Sequence, residues 1–365
     1  MVETADVVII GAGVIGLAAG RAFAQDGREV IVLERNTTIG GETSSRNSGV
    51  IHAGIYYPKN SLKAQLCVRG KQLLYTFCNE YDVEYKRCGK LIVATDENEL
   101  PQLKKHQNQA LANGVFDLHW LKRQTVHYLE PEIRCVAGLL SPSTGVVDTT
   151  TLLAKLQTDL EAQGGRVVFN TLVTRLSRSK EVCVEVADFK LKPKLTINCA
   201  GLTASSLARY IGIEHNQFFA KGQYFEYMYG TTDRPLFQHL IYPVATPETI
   251  GIHITVDVYG SVKFGPDVRW IEEIDYDFDE SRKHLFVQAI KRYYPNLVED
   301  ALRPGYTGIR SKLVSAGQGF VDFRIRGPKE TGIPGYIEAI GIDSPGLTSS
   351  LAIGEYLVAL ANDLP

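Results

Sequence analysis

Three closely spaced glycines near the amino terminus constrain the fold more than any other feature of the sequence. Gly11, Gly13 and Gly16 follow a short apolar strand pattern and lead into Val14–Gln25, whose apolar residues recur at helical spacing. Glu29–Glu34 has the pattern of a second strand, so about 30 residues form a strand–helix–strand unit. In such a unit the glycines permit a tight turn, approach of a phosphate to the backbone, and close helix–strand packing. The pattern predicts a dinucleotide site on a parallel sheet.

An acidic residue completes this fingerprint. Glu34 follows Gly16 by 18 residues and ends the second strand, where a carboxylate binds ribose hydroxyls. Arg35, beside it, is compatible with a 2′-phosphate, but the acid argues more strongly against one. The N–H groups at the start of the helix, around Val14 and Ile15, are expected to bind the pyrophosphate.

Glycine-rich segments far along the chain favour FAD over NAD. Residues 37–57 form a long Gly/Ser/Thr-rich loop where an NAD enzyme would usually continue with another strand–helix unit, and Gly341–Thr348 is a late glycine turn before a helix. A cofactor contacted from residue 11 to residue 348 is extended, which suits FAD. The expected cofactor-binding residues are Gly11, Gly13, Val14, Ile15, Gly16, Glu34, Arg35, Thr43, Ser44, Ser45, Arg46, Asn47, Ser48, Gly49, Val173, Ala200, Gly201, Gly341, Gly346, Leu347 and Thr348.

Length and composition bound the class of protein. The chain has 365 residues, a formal net charge of −2 and 44% hydrophobic residues, which excludes a disordered chain and argues against a nucleic-acid partner. The 33 glycines fall in clusters along the whole chain rather than in one loop. Length alone suggests two domains in series. The glycine distribution instead predicts one cofactor domain assembled from separated segments.

The expected fold class is mixed α/β. A Rossmann-like FAD-binding domain (residues 1–85, 145–215 and 320–365) is interleaved with an antiparallel-sheet substrate domain (86–144 and 216–319), where short aromatic strands alternate with turns. Other predicted elements are a helix over Ser61–Tyr81, a helix capped by Asp148, a strand over Arg166–Leu176 and a strand over Ile250–Val256 that contains His253.

Cysteine usage and hydropathy bear on the compartment. None of the six cysteines forms a Cys-x-x-Cys pair or has histidines at metal-ligand spacing, so we expect free thiols in a reducing compartment and no metal. The apolar run Val7–Gly20 is too short and too interrupted to span a bilayer, and no signal peptide pattern precedes it. We expect a cytoplasmic protein. Peripheral membrane contact and the oligomeric state stay open.

Motifs over nearly the whole chain resemble the D-amino-acid-oxidase-like superfamily of FAD enzymes. The motifs are the glycine fingerprint, I-G-G-E-T-S-S-R-N-S-G (39–49), N-C-A-G-L (198–202) and S-P-G-L-T (344–348). Within the superfamily, H-A-G-I-Y-Y (52–57), L-I-Y-P-V (240–244), G-I-H (251–253) and R-P-G-Y-T-G-I-R (303–310) are most similar to the L-2-hydroxyglutarate dehydrogenase/oxidase branch. Asp343 stands where family members carry a glutamate.

The resemblance implies a two-electron oxidation of a small carboxylate at a carbon bearing OH or NH, with hydride transfer to flavin N5. L-2-hydroxyglutarate is the expected substrate, and oxygen, a quinone or an electron-transfer protein stay open as the acceptor. Covalent attachment of FAD also stays open. An amino-acid oxidase or dehydrogenase on the same fold is the first alternative. A non-catalytic FAD-holding subunit of a larger assembly is the second.

Candidate substrate residues follow from the chemistry of a 2-hydroxy acid. Arg310 matches the family's carboxylate-binding arginine, and its planar fork suits that group. His52 is the first candidate for a base or flavin-tuning residue and His253 the second, because histidine titrates near neutrality. The remaining candidates for the pocket wall are Tyr242 and Tyr57, then Tyr56 and Tyr306; Lys312 and Lys63 are candidates for a distal carboxylate or for flanking the flavin.

Overall fold

The computed structural model describes residues 2–178, 181–229, 235–245 and 251–362. Its strands are β1 (Val2–Ile10), β2 (Val30–Leu33), β3 (Val50–Ile51), β4 (Tyr85–Lys86), β5 (Lys90–Ala94), β6 (His119–Lys122), β7 (Ala137–Ser141), β8 (Gly145–Val147), β9 (Arg166–Val168), β10 (Arg175–Arg178), β11 (Val182–Glu185), β12 (Lys190–Asn198), β13 (Phe218–Tyr227), β14 (Leu240–Pro243), β15 (Ile254–Val256), β16 (Val262–Phe264), β17 (Arg269–Ile271), β18 (Leu302–Lys312), β19 (Arg324–Arg326) and β20 (Tyr336–Ile340).

The helices that connect these strands are α1 (Val14–Gln25), α2 (Leu62–Glu80), α3 (Leu100–Ala112), α4 (Arg123–Leu129), α5 (Thr149–Ala162), α6 (Ala204–Arg209), α7 (Lys283–Lys291), α8 (Pro328–Thr331) and α9 (Gly346–Asn362). The predicted helix α1 is confirmed, as is the helix predicted over residues 61–81. Asp148 caps α5 as expected, because its side chain accepts a hydrogen bond from the Thr150 N–H. No helix among the described residues is long and apolar enough to span a membrane.

The first large sheet has a parallel centre built from distant segments of the chain. β1 pairs in parallel with β2 and β12, β2 pairs with β9, and β12 pairs with β20. β10, β11 and β19 extend the sheet with antiparallel pairs. The β1–α1–β2 unit therefore has the geometry that the glycine fingerprint predicted. Helix α9 packs on α1 so closely that a Cβ at Gly354 would lie 2.6 Å from the Ala18 carbonyl oxygen.

The second large sheet is antiparallel with one exception. Its strand order is β17-β13-β16-β15-β14-β5-β7-β6, and β18 pairs along β13. β5 and β14 run parallel, so the sheet predicted as antiparallel is mixed at this one pair. The long strand β18, which carries Arg310, had no strand signal because glycine and proline interrupt its sequence. A third small sheet joins β3, β8 and β4.

The two large sheets draw their strands from different segments of the chain. Every strand of the first sheet lies in residues 1–85, 145–215 or 320–365, and every strand of the second lies in residues 86–144 or 216–319. Each large sheet covers its own apolar clusters, one around Val7, Leu17 and Leu156 and another around Phe225, Phe264 and Phe286. A further apolar cluster, which includes Val50, Ile55, Ile92 and Tyr242, packs segments of both groups together.

Three local predictions were wrong. Arg166–Leu176 is not one strand, because residues 169–174 leave the sheet as a loop in which Asn170 has φ +52°. Residues 37–57 contain the short strand β3. His253 precedes β15 instead of lying within a strand, and its carbonyl accepts a hydrogen bond from the Gly265 N–H. Ile250, the first residue of that predicted strand, lies outside the described residues.

Candidate active site

A large cleft lies where the two large sheets meet. Its wall includes the glycine loop of β1–α1, the carboxyl end of β2, the loop 40–48, the turn 341–347 and the facing strands β13 and β18. Ligand sites in open parallel sheets lie at the carboxyl ends of the strands. The topology therefore places the predicted cofactor residues and the second sheet around one space.

The start of α1 offers unpaired backbone donors to this cleft. The Ala12 N–H donates to Glu34 Oε2 at 2.8 Å, and the Val14 N–H donates to Ser44 Oγ at 2.9 Å. The N–H groups of Gly13 and Ile15 have no hydrogen-bond acceptor among the described residues. Free N–H groups at a helix N-terminus, together with the helix dipole, form a site for a pyrophosphate.

Glu34 is buried and fixes the glycine loop. Besides the Ala12 bond, its Oε1 accepts from the N–H of Asn36 at 2.9 Å and from the Asn36 side-chain amide at 2.8 Å. A carboxylate has about four acceptor positions, so three bonds leave one for a ribose hydroxyl. Arg35 forms an ion pair with Glu42. This pair neutralises the arginine charge that would bind a 2′-phosphate.

Two glycines are paired across β13 and β18 in the cleft wall, where neighbouring segments pack too closely for a side chain. Gly222 pairs with Gly308, and both line the wall. A Cβ at Gly308 would lie 2.2 Å from the carbonyl oxygen of Arg46, and a Cβ at Gly222 would lie 2.7 Å from Pro266. The cleft, the free N–H groups at the start of α1 and the carboxylate of Glu34 together fit an FAD molecule.

Most predicted cofactor residues line the cleft. Those on its wall are Gly11, Gly13, Val14, Ile15, Glu34, Arg35, Thr43, Ser44, Arg46, Asn47, Ser48, Val173, Ala200, Gly201, Gly341, Gly346 and Leu347. The predicted residues that do not line the cleft are Gly16, Ser45, Gly49 and Thr348. A Cβ at Gly16 would lie 1.9 Å from the Gly11 carbonyl oxygen, so this glycine serves packing. Thr348 Oγ1 accepts the His52 N–H and donates to the Val50 carbonyl, so it supports a cleft-lining loop.

Arg310 lies at one end of the cleft, on β18. Its backbone pairs with Ala220, and its guanidinium lies beside the phenol of Tyr224. Burial raises the pKa of Tyr224 and the nearby Arg310 opposes that rise. Arg310 makes no ion pair with a carboxylate among the described residues. Its charge is therefore available to an anionic ligand.

Two half-buried histidines, His52 and His253, also line the cleft. The His253 ring stacks on Tyr242 with centroids 3.6 Å apart and planes 8° apart. Burial lowers the pKa of His253 well below 6.5, and Lys90, Arg310 and His52 lower it further. Burial, and then Lys90, lowers the pKa of His52 to about 3. Both imidazoles are thus neutral at physiological pH and can accept a proton.

The remaining predicted substrate residues do not line the cleft. Tyr57 lies beside Ser344, which does line it. Lys312 and Lys63 both bond to the buried carboxylate of Asp343, with Lys63 Nζ 2.7 Å from Oδ1. Neither lysine is therefore free for a substrate carboxylate. Tyr306 stacks on Tyr224 with centroids 4.5 Å apart, and Tyr56 packs edge-on against His106.

Sequence reasoning missed several residues of the wall. They are Asn36, Thr171, Leu172, Thr203, Leu207, Gly222, Tyr224, Pro266, Gly308, Ser311, Asp343 and Ser344. One signal could have found some of them: Gly222 and Tyr224 alternate on one face of a strand, and a glycine inside a strand often marks close approach of another group. Residues 169–174 gave no such signal, because their sequence has the pattern of a strand.

Comparisons with known proteins agree with this geometry. The sequence profile of the FAD dependent oxidoreductase family matches residues 6–360. The chain is 41% identical to the mitochondrial L-2-hydroxyglutarate dehydrogenase of Arabidopsis thaliana, over 97% of this chain and 83% of that protein. It is 28% identical to L-2-hydroxyglutarate dehydrogenase of Escherichia coli K12, over 98% and 93% of the two chains.

A solved structure extends the likeness to the fold. L-alpha-glycerophosphate oxidase from Mycoplasma pneumoniae, with FAD bound, superposes with a TM-score of 0.88 at 26% identity, over 99% of this chain and 95% of that one. Glycine oxidase from Geobacillus kaustophilus shares the fold at a TM-score of 0.84 and 19% identity, over 100% and 96% of the two chains. The profile match, the relatives and the cleft lead to one conclusion: the chain belongs to the family of FAD-dependent oxidoreductases.

Proposed function

We propose that the protein oxidises a small 2-hydroxy acid, and that its substrate is L-2-hydroxyglutarate, which becomes 2-oxoglutarate. The observation that carries this proposal is the cluster of Arg310 with two neutral imidazoles at one end of an FAD cleft. An unpaired arginine binds a carboxylate, and a neutral imidazole takes a hydroxyl proton. The names of the relatives in Arabidopsis and Escherichia coli support the choice of acid.

The residues that line the cleft near Arg310 have separate roles in the reaction. Arg310 binds the carboxylate next to the reacting carbon and orients the substrate. His52 or His253 accepts the proton of the hydroxyl group as the carbonyl forms. FAD, when bound, supplies the acceptor for the two electrons and the hydrogen that leave the carbon. Tyr224 and Tyr242 form the wall beside Arg310 and His253 and exclude water from this end of the cleft.

Substitution of each histidine identifies the base. His52→Gln and His253→Gln both keep a hydrogen-bonding side chain but remove the titrating ring. We expect the variant that lacks the base to lose about 100-fold or more in kcat, since general-base catalysis contributes about 10²–10⁴-fold. The other variant loses less. Bound FAD, measured by absorbance, stays stoichiometric in both. Equal and small losses in the two variants would leave neither imidazole as the base.

An amino-acid oxidase is the main alternative on this fold. The experiment that separates the two mixes the purified FAD enzyme, without oxygen, with L-2-hydroxyglutarate or with a panel of L-amino acids. We expect the hydroxy acid to bleach the flavin band within seconds and the amino acids to leave it unchanged. Bleaching by an amino acid alone would overturn the substrate assignment. Bleaching by none would favour the non-catalytic FAD-holding subunit.

The organisation of the chain follows the same proposal. We infer that the first sheet with its helices is the FAD domain and the second sheet the substrate domain, with the boundaries predicted from the sequence. The electron acceptor stays open. The cytoplasmic location stays a prediction, and relatives such as the one in Arabidopsis carry "mitochondrial" in their names.

A further inference from the structure

Lys90 is a fully buried lysine for which the fold gives no bonding partner. It begins β5, its exposed fraction is 0%, and its Nζ has no hydrogen-bond acceptor among the described residues. Burying an ammonium group without a partner is costly, and lysine is almost never fully buried unless it is paired. A residue with that cost and no compensating bond in the fold is a candidate for binding a ligand.

Two tyrosine rings hold the Lys90 ammonium in place. Its Nζ lies 4.7 Å from the ring centroid of Tyr56 and 4.7 Å from that of Tyr242. The faces of aromatic rings attract a cation, but they accept none of its three hydrogen bonds in the way an oxygen does. The rings therefore position the charge and leave its donors unused.

This ammonium lies behind the cleft wall rather than on it. Tyr242 lies between Lys90 and the cleft: its ring meets Nζ and also stacks on His253, and both residues line the wall. The positive charges of Lys90 and Arg310 both lower the pKa of His253. Lys90, like Arg310, makes no ion pair with a carboxylate among the described residues. Two unpaired cations thus surround one imidazole.

Two cations at one site match a substrate with two carboxylates. Arg310 suits the carboxylate next to the reacting carbon, which leaves the second one without a partner. Lys63 and Lys312 cannot provide it, because both bond to Asp343. We propose that the positive charge of Lys90, held behind the Tyr242 ring, attracts the distal carboxylate of the substrate and makes the enzyme selective for dicarboxylic over monocarboxylic acids. This inference rests on the proposed function, whose substrate class it explains.

The test compares Lys90→Met with a matched buried lysine. Lys221→Met is the control, because Lys221 is 3% exposed and lies on β13 on the face opposite Gly222 and Tyr224, where it pairs with Asp275. Purified FAD-loaded proteins are titrated with glutarate and with pentanoate, two five-carbon acids that cannot be oxidised. The perturbation of the flavin absorbance gives each Kd. Turnover of L-2-hydroxyglutarate and L-2-hydroxypentanoate is measured in parallel.

Lys90→Met should weaken glutarate about 10- to 100-fold and leave pentanoate within about twofold, because the positive charge that attracts the second carboxylate is lost. KM for L-2-hydroxyglutarate should rise by the same factor while kcat changes little. Lys221→Met should bind both acids as the original enzyme does. Lys90→Arg, which keeps the charge, should recover part of the preference for glutarate, and Lys90→Gln provides a second neutral variant.

The inference is wrong if Lys90→Met weakens glutarate and pentanoate equally, or neither. A different result addresses the proposed function. If the unsubstituted enzyme binds glutarate more tightly than pentanoate in a way that depends on Lys90, but L-2-hydroxyglutarate does not reduce its flavin, the dicarboxylate site stands and the reaction must be revised.

Discussion

The imidazole ring of His253 lies face to face with the phenol ring of Tyr242, with centroids 3.6 Å apart. This stack joins the two unpaired cations at the catalytic end: Lys90 meets the Tyr242 ring, and Arg310 lies near enough to lower the pKa of His253. The stack also buries the imidazole, so that it stays neutral. The catalytic end therefore carries the charge of Arg310 with Lys90 behind the wall, while its histidines are available as proton acceptors.

Neutral imidazoles predict the acid side of the pH profile. The pKa of His52 is lowered to about 3, and the pKa of His253 lies well below 6.5. A base is lost as pH falls through its pKa, and kcat/KM reports the free enzyme. We expect kcat/KM for L-2-hydroxyglutarate to show no decline centred near pH 6.5 and to fall only toward the stability limit of the protein. A tenfold drop between pH 7.5 and 5.5 would assign an ordinary histidine pKa to the base.

Arg310→Lys tests the binding of the first carboxylate. A lysine keeps the charge but loses the planar two-point contact, so KM should rise about 10- to 100-fold, or about 1.4–2.7 kcal/mol. FAD content should not change. Arg303→Lys is the control, because Arg303 lies exposed at the start of the same strand. Equal KM values in Arg310→Lys and the original enzyme would remove Arg310 from the site.

Gly16→Ala tests the packing that supports the dinucleotide site. The new Cβ would lie 1.9 Å from the Gly11 carbonyl oxygen, so the glycine loop must move away from α1. We expect weaker FAD binding and a loss of about 1–3 kcal/mol in the free energy of unfolding. Gly327→Ala is the control: its nearest neighbour would be 3.4 Å away, and its cost should be about 1 kcal/mol or less. Denaturant titration and FAD absorbance measure both effects.

The fold and cofactor were predictable because their signals are local. Gly11, Gly13 and Glu34 belong to one short unit whose backbone geometry requires these residue types. Arg310 was found through a motif, although its strand was not. Lys90 could not be found, because the sequence K-L-I-V-A describes a buried strand and nothing in it shows what its first side chain meets. Tertiary contacts with Tyr56 and Tyr242 alone reveal that role.

The same tertiary contacts correct the lysine candidates. Lys63 and Lys312 are separated by almost 250 positions in the sequence, and each is an ordinary lysine in its own segment. Both bond to Asp343, a buried carboxylate within the glycine turn Gly341–Thr348. Residues that meet only after folding cannot be paired by pattern, and this is why the sequence alone makes both lysines candidates for the distal carboxylate.

Lys90→Met also makes a prediction about stability. Burial lowers the pKa of Lys90 from 10.5 to about 7, whereas in the unfolded chain it keeps its ordinary value. The unfolded state therefore binds more protons between these pH values, and stability rises with pH there. The cost of Lys90 is fully present below about pH 7 and is relieved as pH rises toward 10.5.

Lys90→Met should therefore raise the free energy of unfolding of the FAD-loaded protein, and should raise it more at pH 6 than at pH 9. Denaturant unfolding at the two pH values measures the difference. Lys221→Met, which breaks the ion pair with Asp275, should not be stabilised. A Lys90→Met protein that is less stable at pH 6 would mean that the lysine serves the fold rather than a ligand.

The most direct test of the whole account is an anaerobic titration of the FAD-loaded enzyme with L-2-hydroxyglutarate, followed by absorbance and by analysis of the product. We predict that one equivalent bleaches the flavin completely and yields one equivalent of 2-oxoglutarate, and that the D-enantiomer does neither. A flavin that stays oxidised with excess L-2-hydroxyglutarate, or that is reduced without formation of 2-oxoglutarate, would contradict the account.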